Sequence, residues 1–392
     1  MSPRTTRRRW GALAAGALVA ALLPAIGPAA PAGAEPGCTR DVDRSALALD
    51  GCDDDTPPET QILSVSPRPT AGGYVSSGSL TFTFRGVHPD GDTDPIGFRC
   101  RLVGLESAAS ACTSPVTYRG LADDKIDGYE FQVTAVDTTD AAHAWVDWLA
   151  LPIRTEADPS DADPTPATQA VRVDTRTPNT YVFGDLYGGL HYDVRPSLPM
   201  ALTPDLPVFV DSSESAERGG VGYACTLGAR AVACRQDRTV LRHLTPGTKV
   251  LKVAAVDPAG NRDPSPASLR FSVPRDLSAP ARGPWRTRKG AGHFGRDVLE
   301  TSKVGARVVV RPARAVGEVM LLAPAGPRLG VVTVRIGRSF SKRIRLSAPR
   351  NKALKVYVVR RVEDGPLRGP VTLEVTSLGA GKLARIDALL AH

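Results

Sequence analysis

Phe131-Gln132-Val133-Thr134-Ala135-Val136-Asp137 and Leu251-Lys252-Val253-Ala254-Ala255-Val256-Asp257 are two versions of one segment. Each sets apolar residues at every second position before closing on Asp, the pattern of a strand with one face in a core. Their flanks repeat as well. Upstream, Phe98-Arg99-Cys100-Arg101-Leu102 aligns with Tyr223-Ala224-Cys225-Thr226-Leu227, and each is followed by a second cysteine, Cys112 and Cys234. Downstream, Asp163-Pro164-Thr165-Pro166-Ala167-Thr168 aligns with Asp263-Pro264-Ser265-Pro266-Ala267-Ser268, and Val171-Arg172-Val173 with Phe271-Ser272-Val273. Four blocks in one order define an internal repeat.

Leu80-Thr81-Phe82-Thr83-Phe84 alternates in the same way, and Pro258-Ala259-Gly260-Asn261 is a turn leading to a last strand. With 34 prolines, 5% aromatic residues and no long helical period, the class is all-β. Beyond the repeats, apolar stretches at Ala306–Val310, Val319–Leu322, Val331–Ile336, Ile344–Leu346, Leu354–Val359, Val371–Val375 and Ile386–Leu390 read as a further β-sandwich or jelly roll. The expected organisation is a signal peptide over 1–34, a Cys-bearing segment over 35–55, repeats over 56–176 and 177–280, and a basic β-domain over 281–392.

The repeats resemble the tandem immunoglobulin-like repeats of secreted bacterial proteins. The likeness is carried by Pro57-Pro58-Glu59-Thr60, by the Phe98 to Pro115 hairpin with its Cys112-Thr113-Ser114-Pro115 end, and by the closing Val-Asp and Asp-Pro-x-Pro-Ala motifs. Unit two departs from it with Arg235-Gln236-Asp237 after Cys234 and with Thr177-Pro178-Asn179-Thr180 at its opening. The resemblance implies immunoglobulin-like sandwiches without implying a ligand. The last domain resembles galactose-binding-like β-sandwich modules at Thr301–Ala306, Gly326-Pro327-Arg328-Leu329-Gly330 and Ile386-Asp387-Ala388-Leu389, which implies a binding module with no transferable ligand residues.

Arg4, Arg7, Arg8 and Arg9, the apolar run Trp10 to Ile26 and then Ala32-Gly33-Ala34 follow the order of a secretory signal. A retained anchor, a twin-arginine route and lipidation at Cys38 are the rivals; the run is short for a bilayer span, and Glu35-Pro36-Gly37 lacks a lipidation pattern. The six cysteines fall into three close pairs, Cys38 with Cys52, Cys100 with Cys112 and Cys225 with Cys234, which in an exported chain read as local disulfides. Their spacing does not suit a metal site.

Charge is uneven along the chain. Residues 281–392 carry 23 Lys+Arg against 7 Asp+Glu, while 35–280 carry 22 against 34. The basic part therefore suits a polyanion, or the acidic repeats of the same chain. At period two, Arg335, Arg343 and Arg345 point outward, with Lys355 expected beside them.

An insertion over 138–163 in unit one holds His143, Trp145 and Trp148 before an acidic stretch. The tryptophans are a candidate aromatic platform for sugar or partner, or else pack a short helix onto their own sandwich. Asp90, Asp92 and Asp94 have calcium-like spacing, but Pro95 and Arg101 stand where an EF-hand loop needs Gly and Glu; a looser calcium site and a solvated turn are the alternatives. Gly290-x-Gly292-x-x-Gly295 lacks the strand and helix of a dinucleotide site and reads as a flexible joint.

Hydrolase and phosphate-loop motifs are absent from the sequence. The expectation is a secreted or cell-surface, non-enzymatic, adhesive protein without a cofactor. Its partner would be a cell-envelope polyanion or polysaccharide, or another surface protein, and not nucleic acid. No transmembrane segment is expected after signal cleavage. A carbohydrate-binding module protein is the alternative, and a hydrolase on an unrecognised scaffold the second.

Overall fold

The computed structural model describes residues 57–89, 95–123, 127–137, 143–144, 155–156, 162–188, 196–214, 220–279 and 283–392. Residues 1–34, expected to be a signal peptide, and Cys38, Cys52, Asp90, Asp92, Asp94, Trp145 and Trp148 lie outside the described residues. The chain divides into two compact units, Met1–Asp55 with Asp140–Asp158, and Thr56–Thr139 with Pro159–His392. In the first, the described part is an antiparallel pair of His143–Ala144 with Thr155–Glu156. The second unit is built from β-sandwiches, and among the described residues no α-helix occurs.

The first repeat packs a three-stranded sheet (Glu59–Ser66, Leu80–Val87, Val116–Tyr118) on a five-stranded one. The five-stranded order is Tyr74–Val75, Ala167–Val173, Tyr129–Asp137, Ile96–Val103, Ser110–Cys112. Alternation sends Leu80, Phe82 and Phe84 inward to meet Phe131 and Val133. Phe82 stacks on Phe131 with ring centres 4.1 Å apart.

The second repeat reproduces this plan. Its three-stranded sheet is Thr180–Gly184, Leu206–Ser212, Asp237–Leu241. Its larger sheet runs Leu186–Tyr187, Met200–Ala201, Ala267–Val273, Gly247–Val256, Gly222–Leu227, Arg230–Val232. In both repeats a two-residue strand pairs parallel with the last long strand, Tyr74–Val75 in one and Met200–Ala201 in the other.

The sequence signature of the repeat has a common physical cause. Asp163 and Asp263 are 5% and 2% exposed, and each accepts hydrogen bonds on both oxygens. Asp163 takes the backbone N–H of Thr60 at 2.8 Å and that of Thr165 at 2.7 Å; Asp263 takes those of Thr180 at 2.9 Å and Ser265 at 2.7 Å. Thr60 and Thr180 then accept, on their hydroxyls, the N–H groups of Ala135 and Ala255. The clamp ties the opening of each unit to its centre and its last turn, so the departing opening Thr177–Thr180 still supplies what is needed. Between the repeats, the Asn261 side chain donates to the Asp174 carbonyl and to the Asp257 carboxylate, each at 2.7 Å.

The terminal domain has two four-stranded sheets and one of three strands. One four-stranded sheet runs Arg275–Asp276, Ala388–Ala391, Val319–Ala325, Lys352–Arg360; the three-stranded sheet runs Arg286–Lys289, Asp297–Thr301, Ala384–Ile386. Two sequence expectations do not hold in this domain. The Gly290 to Gly295 stretch is a hairpin connection between Arg286–Lys289 and Asp297–Thr301, not a joint; every residue of Arg286–Lys289 is exposed, so no alternation betrayed the strand. The expected strand Ile386–Leu390 breaks at Asp387, whose backbone leaves one sheet and enters the other.

Val319–Ala325 is buried along its whole length. Val319, Leu321 and Ala323 enter the domain's own core, whereas Met320 and Leu322, with Ala388 and Leu390, belong to one apolar cluster with Met200, Leu206, Leu251 and Phe271 of the second repeat. At its edge the Ser197 hydroxyl donates to Glu318 at 2.7 Å. The terminal domain and the second repeat therefore share a core.

Candidate functional site

The remaining four-stranded sheet, Arg307–Val310, Val371–Ser377, Val331–Ile336, Phe340–Arg345, carries the basic surface. Its inner residues Val332, Val334, Ile336, Ile344, Val371 and Leu373 fill the core, so their neighbours face out. Register sets Arg307, Glu374, Thr333 and Arg343 in one row across the four strands. Thr372, Arg335 and Ser341 form the next row, and Arg345 stands opposite Val331. Gly337, at φ +54, turns the chain between the last two strands; a Cβ there would lie 2.6 Å from the Arg368 carbonyl oxygen.

Glu374 is the one carboxylate on these strands. It is held by Arg307 at 2.9 Å and Arg335 at 3.6 Å. Arg343 and Arg345 remain exposed. Guanidinium forks on a rigid sheet can bind sulfate, phosphate or carboxylate groups through paired hydrogen bonds.

The structure brings Arg335, Arg343 and Arg345 together and adds Arg307, which sequence reasoning missed. Its exposed place in Arg307-Val308-Val309-Val310 was a signal, but only pairing with Val371–Ser377 carries it onto this face. Lys355 does not join them. Its strand belongs to the other four-stranded sheet, and its Nζ sits 4.9 Å from the ring centre of Tyr357. Both faces of Lys352–Arg360 meet apolar surface, so alternation could not tell which sheet the strand joins. Among the cysteines, Cys100–Cys112 and Cys225–Cys234 are disulfide-bonded, with Cα atoms 5.8 and 6.2 Å apart.

A second surface was not singled out in the sequence. On the outer face of Thr180–Gly184 and Leu206–Ser212, Tyr181, Phe183 and Phe209 are 47%, 62% and 45% exposed. Phe183 pairs directly with Phe209, Tyr181 with Asp211, and Phe209 with Arg238. The odd-numbered aromatics of Thr180–Gly184 were visible as an alternation, but nothing in it says which face is wet.

These features define an all-β protein of β-sandwich modules, two of them repeats and one basic. No family model matches the chain, and no curated protein matches it. Solved structures that it resembles include the fibronectin(III)-like modules of Clostridium thermocellum CbhA, at 11% identity and TM-score 0.30, covering 55% of this chain and 94% of that one. Others are three N-terminal domains of the bacteriophage RB49 Hoc protein (9%, TM-score 0.23, 82% and 86%) and Bacteroides ovatus SGBP-B in complex with a mixed-linkage heptasaccharide (10%, TM-score 0.21, 85% and 100%).

Proposed function

We propose that this chain is an exported, non-enzymatic surface protein in which immunoglobulin-like repeats act as a spacer and the terminal basic sheet binds a polyanionic envelope polymer. The observation that carries this reading is the placement of Arg307, Arg335, Arg343 and Arg345 on one sheet face with a single carboxylate among them. Two disulfides support an oxidising compartment. Among the described residues no helix is long and apolar enough to cross a membrane.

The test uses the full chain, because the terminal domain cut away alone would bare Met320, Leu322 and Leu390. Dextran sulfate and neutral dextran are compared as immobilised probes across a salt series. The wild type should bind dextran sulfate alone, and binding should weaken steeply with salt, since screening shortens the reach of exposed charge to about 8 Å near physiological ionic strength. Combined Arg335→Ala, Arg343→Ala and Arg345→Ala should abolish most of it. Equal retention of that folded variant would remove the basic face from the account.

A further inference from the structure

The two repeats provide an internal control for what their outer faces require. By pairing register, Gln61, Ser64, Thr81, Thr83, Arg85 and Thr117 of the first repeat are the equivalents of Tyr181, Phe183, Pro207, Phe209, Asp211 and Val240 of the second. The first face is polar at all six positions, with Leu63 exposed at a bulge beside them. There the Thr81 and Thr117 hydroxyls hydrogen-bond across the strands at 2.9 Å, and Arg85 donates to Gln61. The scaffold thus closes without outward rings. Contiguous exposed aromatic surface that folding does not demand marks a binding surface.

We infer that the outer face of the second repeat's three-stranded sheet, Tyr181, Phe183 and Phe209 flanked by Asp211 and Arg238, binds a neutral polysaccharide chain. Size decides against a globular partner. Three strands about 4.8 Å apart and five residues at about 3.4 Å each give a face of about 10 by 17 Å. A standard protein interface covers about 800 Å² on each side, several times more. A linear polymer fits such a strip.

Charge points the same way, because Asp211 and Arg238 offset each other while the terminal sheet carries an excess of guanidinium. Ring faces are electron-rich and attract the C–H-lined faces of pyranose rings. The Asp211 carboxylate accepts from sugar hydroxyls, and the Arg238 guanidinium donates to them. The second repeat is then itself a binding module as well as part of the spacer.

The experiment transplants the first repeat's residues. The full chain and its Tyr181→Gln, Phe183→Ser, Phe209→Thr variant are passed over microcrystalline cellulose, chitin, and gels containing dextran or xylan, all at high salt. The wild type is retained by at least one of them, and the variant's retention falls about tenfold or more. Phe183→Tyr with Phe209→Tyr, which keeps the rings, stays bound, and so does the Arg335, Arg343, Arg345 triple variant, which separates this site from the basic face. Absence of retention on every polymer, or undiminished retention of the transplanted variant, overturns the inference. So does wild-type self-association in ultracentrifugation that the transplant abolishes without any polysaccharide retention, which would make the face a contact between copies.

Discussion

His293 Nδ1 lies 3.4 Å from Asp387 Oδ2 inside the terminal domain, with the two side chains 12% and 0% exposed. Among the described residues neither His293 Nδ1 nor Asp387 Oδ1 has a hydrogen-bond partner, although Asp387 Oδ2 accepts the Phe294 N–H at 3.1 Å. Burial first, then the charges of Asp276 and Asp297, push Asp387 up to about 7 against the pull of the Phe294 N–H. Asp276 is raised to about 6 by burial and by Asp297. Burial, together with Arg385, holds His293 below its usual value.

A carboxyl raised in the folded state binds a proton there that the unfolded chain has released, so stability falls as pH rises from about 4 to about 7. His293 works in the opposite sense, but only up to its unfolded value near 6.5. Asp387→Asn keeps an acceptor for the Phe294 N–H and removes the buried charge. It should stabilise the protein by about 1 to 3 kcal/mol at pH 8 and little at pH 4. Urea unfolding midpoints of both proteins over that pH range check this; parallel curves would refute it.

The repeat clamps respond to acid in the other direction. Burial would raise Asp163 and Asp263, yet hydrogen bonds from Thr60 and Thr165, and from Thr180 and Ser265, hold both below the usual carboxylate value. Their contribution is present above the unfolded value of about 3.9 and is lost as pH falls through the lower folded value. Both oxygens of Asp263 accept N–H groups, so an Asn amide must set a donor against a donor. Asp263→Asn should cost about 1.5 to 3 kcal/mol at neutral pH, read by thermal unfolding, with the difference from wild type shrinking toward pH 2.

The disulfides bracket hairpins of sequence separation 12 and 9. Loop closure of that size stabilises by about 3 kcal/mol each. Replacing Cys225 and Cys234 together with Ala should lower stability by roughly that amount, and a reductant should then affect the variant less than the wild type. Unfolding in the presence and absence of dithiothreitol measures both.

Glu374 neutralises part of the basic face through Arg307 and Arg335. Glu374→Gln frees both guanidinium groups and adds one net positive charge. Affinity for dextran sulfate should rise about two- to tenfold at low salt and converge with wild type at high salt. An unchanged affinity at low salt would mean that this row does not face the polymer.

Alternation in Leu80–Phe84, Phe131–Val136 and Leu251–Val256 determined the sandwich by itself, because a period of two can bury only one face of a strand. The repeated blocks likewise determined that two units share one plan, and the outward turn of Arg335, Arg343 and Arg345 followed from the same period. What a strand packs against is a different matter, since pairing between distant segments leaves no local mark. Only the tertiary structure brought Arg307 to Arg343's face, sent Lys355 to the other sheet and broke Ile386–Leu390 at Asp387. It also decided which side of Thr180–Gly184 is wet: alternation fixes that Tyr181 and Phe183 share a side, and the packing of Val182 toward the core leaves that side to solvent.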